Sequence, residues 1–254
     1  MGIGGLAKGR CNFLHGSIAL LLAISLAACG DRFPDYSYKM TVHAGGQEFS
    51  SVRHVEVTEG MSIVSRKVTG QAVIIDRNGR TYYALLSRPD NADYAGFVAG
   101  MALRDQVPRV APRSEVQQAI DEYKEENSPQ DSFGDAAEFL QAMVEVEGAH
   151  DLPRTLPPRP GREPMQAWPM FVTFTDPTDP RTVREVSPES IGVDRITIEI
   201  TDEDVTTGIE ERLGWWEQYR EQRFDGTSRI TQDLSTDDIR NWMTIGQFSS
   251  GDQR

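Results

Sequence analysis

Arg195-Ile196-Thr197-Ile198-Glu199-Ile200-Thr201 is the most regular alternation in the chain. Ile196, Ile198 and Ile200 point one way and Arg195, Thr197 and Glu199 the other, the two-fold period of a strand with one buried face. An earlier stretch has the same period: Tyr38, Met40 and Val42 alternate with Lys39, Thr41 and His43, and Gly45-Gly46 then turns the chain into Phe49 to Val57. With a two-residue turn the register is fixed, so His43 faces Glu48 and His54 faces Ser37.

A second hairpin is predicted where Ala72 to Ile75 and Thr81 to Leu86 flank Asp76-Arg77-Asn78-Gly79, because Asn-Gly accepts positive φ. Both of its arms are apolar on both faces, which suggests a central pair covered on each side. Met170 to Thr175 adds a further strand.

Helical periodicity occupies the middle of the chain. Asn91 can cap a segment with Tyr94, Phe97, Val98 and Met101, and Ser114 with Gln117 forms a capping box before Val116, Ala119, Ile120 and Tyr123. A third segment carries Phe139, Leu140, Met143 and Val144 and stops at Gly148. Five prolines between Leu152 and Pro164 then predict loop or polyproline II. A late helix is expected from Thr207, with Glu210 closing a capping box ahead of Ile209, Leu213, Trp216 and Tyr219. After Phe224 the tail reads as polar, apart from a helical piece around 237–243.

These readings define an α+β fold: an antiparallel sheet of about six strands with helices 93–147 inserted as a cover. Residues 36–150 supply the hairpins and helices, 151–166 the Pro-rich loop, and 167–254 the strands and helix that complete the same domain.

The chemistry of the chain begins at its N-terminus. Lys8 and Arg10 precede an apolar run, Ile18 to Leu26, broken by Ser25 and too short to cross a bilayer of about 30 Å. Leu26-Ala27-Ala28-Cys29 closes it as a lipobox, which predicts a signal peptide over 1–28 and lipid on Cys29. Two or more acyl chains give stable anchoring where one is marginal. The tether, 29–35, is short, so the fold sits within roughly 20 Å of its anchor. Loss of residues 1–28 leaves 24 basic against 39 acidic side chains, a net charge of about −15 that disfavours nucleic acid and anionic lipid surfaces. Cys11 leaves with the signal and Cys29 is consumed, so no thiol remains for a disulfide, a zinc site or a nucleophile.

No Gly-x-Ser-x-Gly elbow, Ser-x-x-Lys, zincin spacing or Walker loop is present. The predicted register places His43 and His54 roughly 20 Å apart, too far to share a metal. Asp176-Pro177-Thr178-Asp179-Pro180 offers oxygens to a cation but reads more simply as consecutive turns. Gly96 and Gly100 make a small-xxx-small face suited to close packing on the sheet. No cofactor is implied. Trp215 and Trp216 are adjacent, hence about 100° apart on a helix. Trp216 continues the buried series of Ile209 and Leu213, so Trp215 is expected to face outward as a contact for an envelope protein, a glycan or the membrane interface.

The block from Trp168 through Asp176-Pro177-Thr178-Asp179-Pro180-Arg181-Thr182-Val183-Arg184 to Ile196-Thr197-Ile198-Glu199-Ile200-Thr201 and Val205-Thr206-Thr207-Gly208-Ile209, together with the lipobox, resembles a family of uncharacterised proteobacterial lipoproteins. That resemblance implies an envelope location and brings no activity or site residues. The expected function is a membrane-anchored envelope lipoprotein with a binding or assembly role, most simply at the outer membrane facing the periplasm. The alternative is a periplasmic enzyme using a pair of carboxylates, which would need two acids converging in one pocket with raised pKa values. A surface adhesin is disfavoured by the short tether.

Overall fold

A computed structural model of the chain describes residues 33–60, 64–107, 133–157, 163–227 and 238–251. Residues 33–254 form a single compact unit. The expected signal peptide at 1–28, Cys29 and the expected helix at 114–123 lie outside the described residues.

The strands are β1 (Tyr36–Ala44), β2 (Gln47–Glu59), β3 (Val64–Gln71), β4 (Val73–Arg77) and β5 (Arg80–Ala84), followed by helices α1 (Tyr94–Leu103) and α2 (Phe133–Met143). After them come β6 (His150–Asp151), β7 (Thr155–Leu156), β8 (Met165–Gln166), β9 (Phe171–Phe174), β10 (Val183–Glu185), β11 (Val193–Ile200) and β12 (Ser249–Ser250). Six strands form one sheet in the order β12-β3-β2-β1-β11-β6, and four form a second in the order β10-β9-β5-β4. Every ladder is antiparallel.

The alternation around Ile198 does what its period requires. Val42 pairs with Ile196, Met40 with Ile198 and Tyr38 with Ile200, so one apolar face runs unbroken across β1 and β11. Met40, Val42, Ile196 and Ile198 are fully buried. The Gly45-Gly46 turn, with φ of 55° and 79°, gives the register its loop length demands: His43 stands opposite Glu48 and Ser37 opposite His54. Asn78 and Gly79, at φ 53° and 71°, close the second hairpin in the same way.

That second hairpin does not join the six-stranded sheet, and its β4 arm is an edge strand rather than half of a central pair. Its two-faced apolarity has a different cause. The four-stranded sheet is a partition with a core on each side. Val73, Ile75, Tyr82, Ala84 and Phe171 face the core shared with the larger sheet. Ile74, Tyr83, Val172 and Phe174 face a second, aromatic-rich core built with the C-terminal segments.

Three further expectations need correction. The Pro-rich stretch is not all loop: Thr155 pairs with Gln166 and Leu156 with Met165 as a small ribbon. Helix α1 has Asp93 as its N-cap with no side-chain cap bond, in place of Asn91, whose backbone carbonyl instead accepts from Tyr94 N at 3.3 Å. The tail beyond Phe224 is not merely polar, because Met243, Ile245 and Phe248 enter the second core and β12 pairs with Gly70 and Gln71 at the edge of the larger sheet. Its apolar residues follow neither a two-fold nor a 3.6-fold period, since Met243 ends a four-residue helix, Ile239–Trp242, while Ile245 opens and Phe248 ends a 3-10 turn, Ile245–Gln247.

Tyrosines link α1 to the larger sheet. The Tyr38 hydroxyl donates to Ala95 O at 2.7 Å, Tyr36 donates to Gly96 O at 3.2 Å, and Tyr94 donates to Ala167 O at 2.8 Å. Burial raises the pKa of all three, and that of Tyr83 to about 12. An unfolded tyrosine ionises near 10, so above that pH the unfolded state has lost protons that the folded state keeps, and stability falls at about 1.4 kcal/mol per pH unit for each such group. Urea melts are therefore expected to be flat in this respect below about pH 9 and to collapse steeply above about pH 10. An unchanged midpoint at pH 11 would contradict the buried hydroxyls.

Candidate functional site

The large exposed hydrophobic side chains among the described residues are Phe97, 41% exposed, and Met165, 38% exposed. Both line one groove of about 610 Å³ between α1 and α2. Its size lies in the ~300–1,000 Å³ range of small-molecule sites.

Local sequence explains how the groove forms. Helix α1 reads Tyr-Ala-Gly-Phe-Val-Ala-Gly-Met-Ala-Leu, apolar all round, so burying one face leaves another apolar face outward. Its inner side, including Tyr94, Val98 and Leu103, is fully buried. The two glycines of the small-xxx-small face divide their roles. A Cβ on Gly96 would lie 3.2 Å from Arg66 Cβ on β3, and one on Gly100 would lie 3.4 Å from Phe139 Cε1 on α2. Gly96 thus sets the approach to the sheet, while Gly100 leaves room across the groove floor. Leu140, Met143 and Leu156 complete the apolar wall.

Arg66 is the polar feature of the rim. Its guanidinium sits 4.3 Å from the Phe97 ring centre, a cation–π distance, and no described carboxylate pairs with it. Arg104 stands further along, tied to exposed Asp105 at 3.2 Å.

A second polar feature lies inside the fold. Arg53 is wholly buried; Nε donates to Gln71 O at 3.1 Å and Nη1 donates to the Tyr38 hydroxyl at 3.4 Å, while Nη2 has no hydrogen-bond partner among the described residues. Gln71 also ties its side chain to Ile209 N at 2.9 Å, joining the larger sheet to the C-terminal half. No described cavity is lined by Arg53, so this cluster holds strands together rather than presenting a site.

A cavity of about 400 Å³ beside Trp168 contains charges of both signs. Both of its arginines are already paired: Arg88 with Asp90 at 2.8 Å, and Arg154 with Glu189 while stacking 5.1 Å from the Trp168 ring centre.

The residues singled out in the sequence fall as follows. Trp215 is buried, 5% exposed, with Trp216 at 3%, which corrects the expectation that Trp215 faces outward. Adjacent side chains stand about 100° apart only on a continuous helix, and the helix is only Ile209–Arg212, capped by Gly208 without the Thr207 side chain. A bend at Leu213 then lets both indoles turn inward, 6.5 Å apart and nearly parallel. Trp215 donates Nε1–H to Pro177 O at 3.0 Å and packs edge-on to Phe224 at 5.1 Å. Its reason for meeting a partner is gone.

His43 meets Thr197 at 3.3 Å and Glu48 at 3.3 Å, whereas His54 meets Ser37 at 3.1 Å. The Asp176–Pro180 stretch is a pair of turns: Asp176 accepts from Thr178 N, and Asp179 accepts from Arg181 N. No cluster of three potential metal ligands occurs among the described residues.

The displaced carboxylates move in the wrong direction for acid catalysis. Hydrogen bonds from Thr178 hold Asp176 low, and bonds from Arg181 and Arg240 do the same for Asp179 and Asp238. For Asp76 partial burial pushes upward, but bonds from Thr81 and Arg212 outweigh it. The chain matches no family model, no curated protein and no solved structure.

The groove was missed in the sequence because its walls come from segments far apart in the chain. One signal was available: ten residues of α1 without a charged or strongly polar side chain, too apolar for a helix with one wet face.

Proposed function

We propose that the protein is an envelope lipoprotein, held by lipid on Cys29 at the periplasmic face of the outer membrane, that binds a ligand in the groove between α1 and α2. In this reading helices from the 93–147 segment cover the sheet and present the groove on their outer side. The observation that carries it is the placement of Phe97 and Met165 in one concave apolar site, since exposed apolar patches that converge mark contact surfaces. The lipobox supports the anchor, and the lowered carboxylates weigh against the acid–base enzyme.

A neutral solvatochromic dye such as Nile red tests the groove. The Cys29→Ser chain, free of lipid and detergent, is expected to bind it saturably at a one-to-one ratio. Gly100→Leu places side-chain volume against Phe139 and is expected to weaken binding at least about tenfold while adding helix propensity to α1. Dye binding that is absent, or indifferent to Gly100→Leu, would refute the site.

A further inference from the structure

We infer that the groove takes a single-chain fatty carboxylate, with its acyl chain between α1 and α2 and its anionic head at Arg66; this rests on the groove being a binding site. Two observations select that chemistry. The first is the shape of the polarity: the described floor is made by Phe139, Leu140, Met143 and Leu156, with no hydrogen-bonding side chain among them, while Arg66 and Tyr36 both stand against Gly96 on the rim and the more distant Arg104 is tied to Asp105. An amphiphile with one polar terminus matches this division. A sugar or a peptide would leave its polar groups unpaired against the floor.

The second is charge. The chain carries a formal net charge of −13, yet among the described residues the groove is lined by two arginines and no acid. Arg104 already has Asp105 beside it. Arg66 does not pair with a described carboxylate, and its position is set by packing: its guanidinium lies 4.3 Å from the Phe97 ring centre and its Cβ lies against Gly96, whose carbonyl accepts from the Tyr36 hydroxyl. A planar guanidinium so oriented is preorganised for a carboxylate, which it can meet with two parallel N–H donors. The unbranched thioethers of Met101, Met143 and Met165 line the path of the chain and can adjust to its kinks. One acyl chain suits the volume; a two-chain phospholipid with its headgroup exceeds it.

Displacement of bound Nile red from the full chain carrying Cys29→Ser gives the test, with palmitate and hexadecanol as competitors of equal length. Palmitate is expected to displace the dye about tenfold or more better than hexadecanol, the value of one charge-assisted pair. Arg66→Gln is expected to bring palmitate down to the level of hexadecanol, the two being compared within that variant at its own dye affinity, and Arg104→Gln to leave the ratio of the two near that of the parent chain. Equal displacement by the acid and the alcohol, or an unchanged palmitate value in Arg66→Gln, would overturn the carboxylate while leaving the groove intact. Failure of the dye itself to bind would overturn the groove as well. Sedimentation with anionic phospholipid vesicles without displacement by palmitate would show a membrane-docking face and would also overturn the proposal.

Discussion

Ile198→Asp is expected to unfold the protein or to lower its stability by about 4 kcal/mol or more, the range reserved for a charge buried without a partner. Ile198 is fully buried, stands opposite Met40 in the β1 ladder and pairs with His150 on its other side. Burying its side chain contributes about 1.5–3 kcal/mol, all of which is lost, and a carboxylate added there meets buried Met40 on one side while the His150 ring on the other is already tied to Glu147 O. For a domain of this size each kcal/mol shifts Tm by roughly 2–4 °C, so the folded baseline should drop by about 10 °C or vanish. The contrasting site is Asp194, exposed on the same strand, where Asp194→Ser should leave Tm within about 2 °C. Thr197→Asp falls between them, because Thr197 is only 6% exposed and meets His43 at 3.3 Å. Equal melting temperatures for Ile198→Asp and Asp194→Ser would show that the apolar face is not where the ladder puts it.

The second large effect belongs to the proposed anchor. Cys29→Ser is expected to move the protein almost wholly out of the membrane fraction, or to leave the precursor uncleaved, since processing and acylation both act on that thiol. No described helix is long and apolar enough to cross a membrane, so none offers a substitute anchor. Fractionation with N-terminal sequencing reads the result. A cleaved, membrane-bound Cys29→Ser chain would remove the lipid from the proposed function without touching the groove.

The parts of the fold that were legible in the sequence share one property: a short-range constraint decided them. A two-residue turn at Gly45-Gly46 leaves one register, and His43 and His54 fell where it placed them. Alternation at Ile196, Ile198 and Ile200 needs no distant information to identify an inward face. Which sheet a strand joins is a different matter. The 73–84 hairpin reads as apolar on both faces whether it is central to a large sheet or forms a wall between two cores, and only packing from Phe174, Phe224 and Phe248 separates the cases. The Trp215-Trp216 pair was misjudged for the same reason: helical geometry was extended past Arg212, where tertiary packing among aromatic rings sets the backbone instead. The candidate site was the least legible, since Phe97, Phe139 and Met165 approach one another only after the sheets have formed.

The order of strands in the larger sheet bears on how fast the molecule reaches its native state. β1 waits for β11, about 150 residues later, and β3 waits for β12 near the end of the chain. Loop closure over such separations must precede the contacts that reward it, which places this topology among slow folders. A growing or translocating chain can form the two hairpins early, but the edge of β3 and the second core stay open until Phe248 arrives. During that interval the backbone donors of β3 and the aromatic face of β9 are available to other chains, so this protein depends on a protected passage for longer than its size suggests.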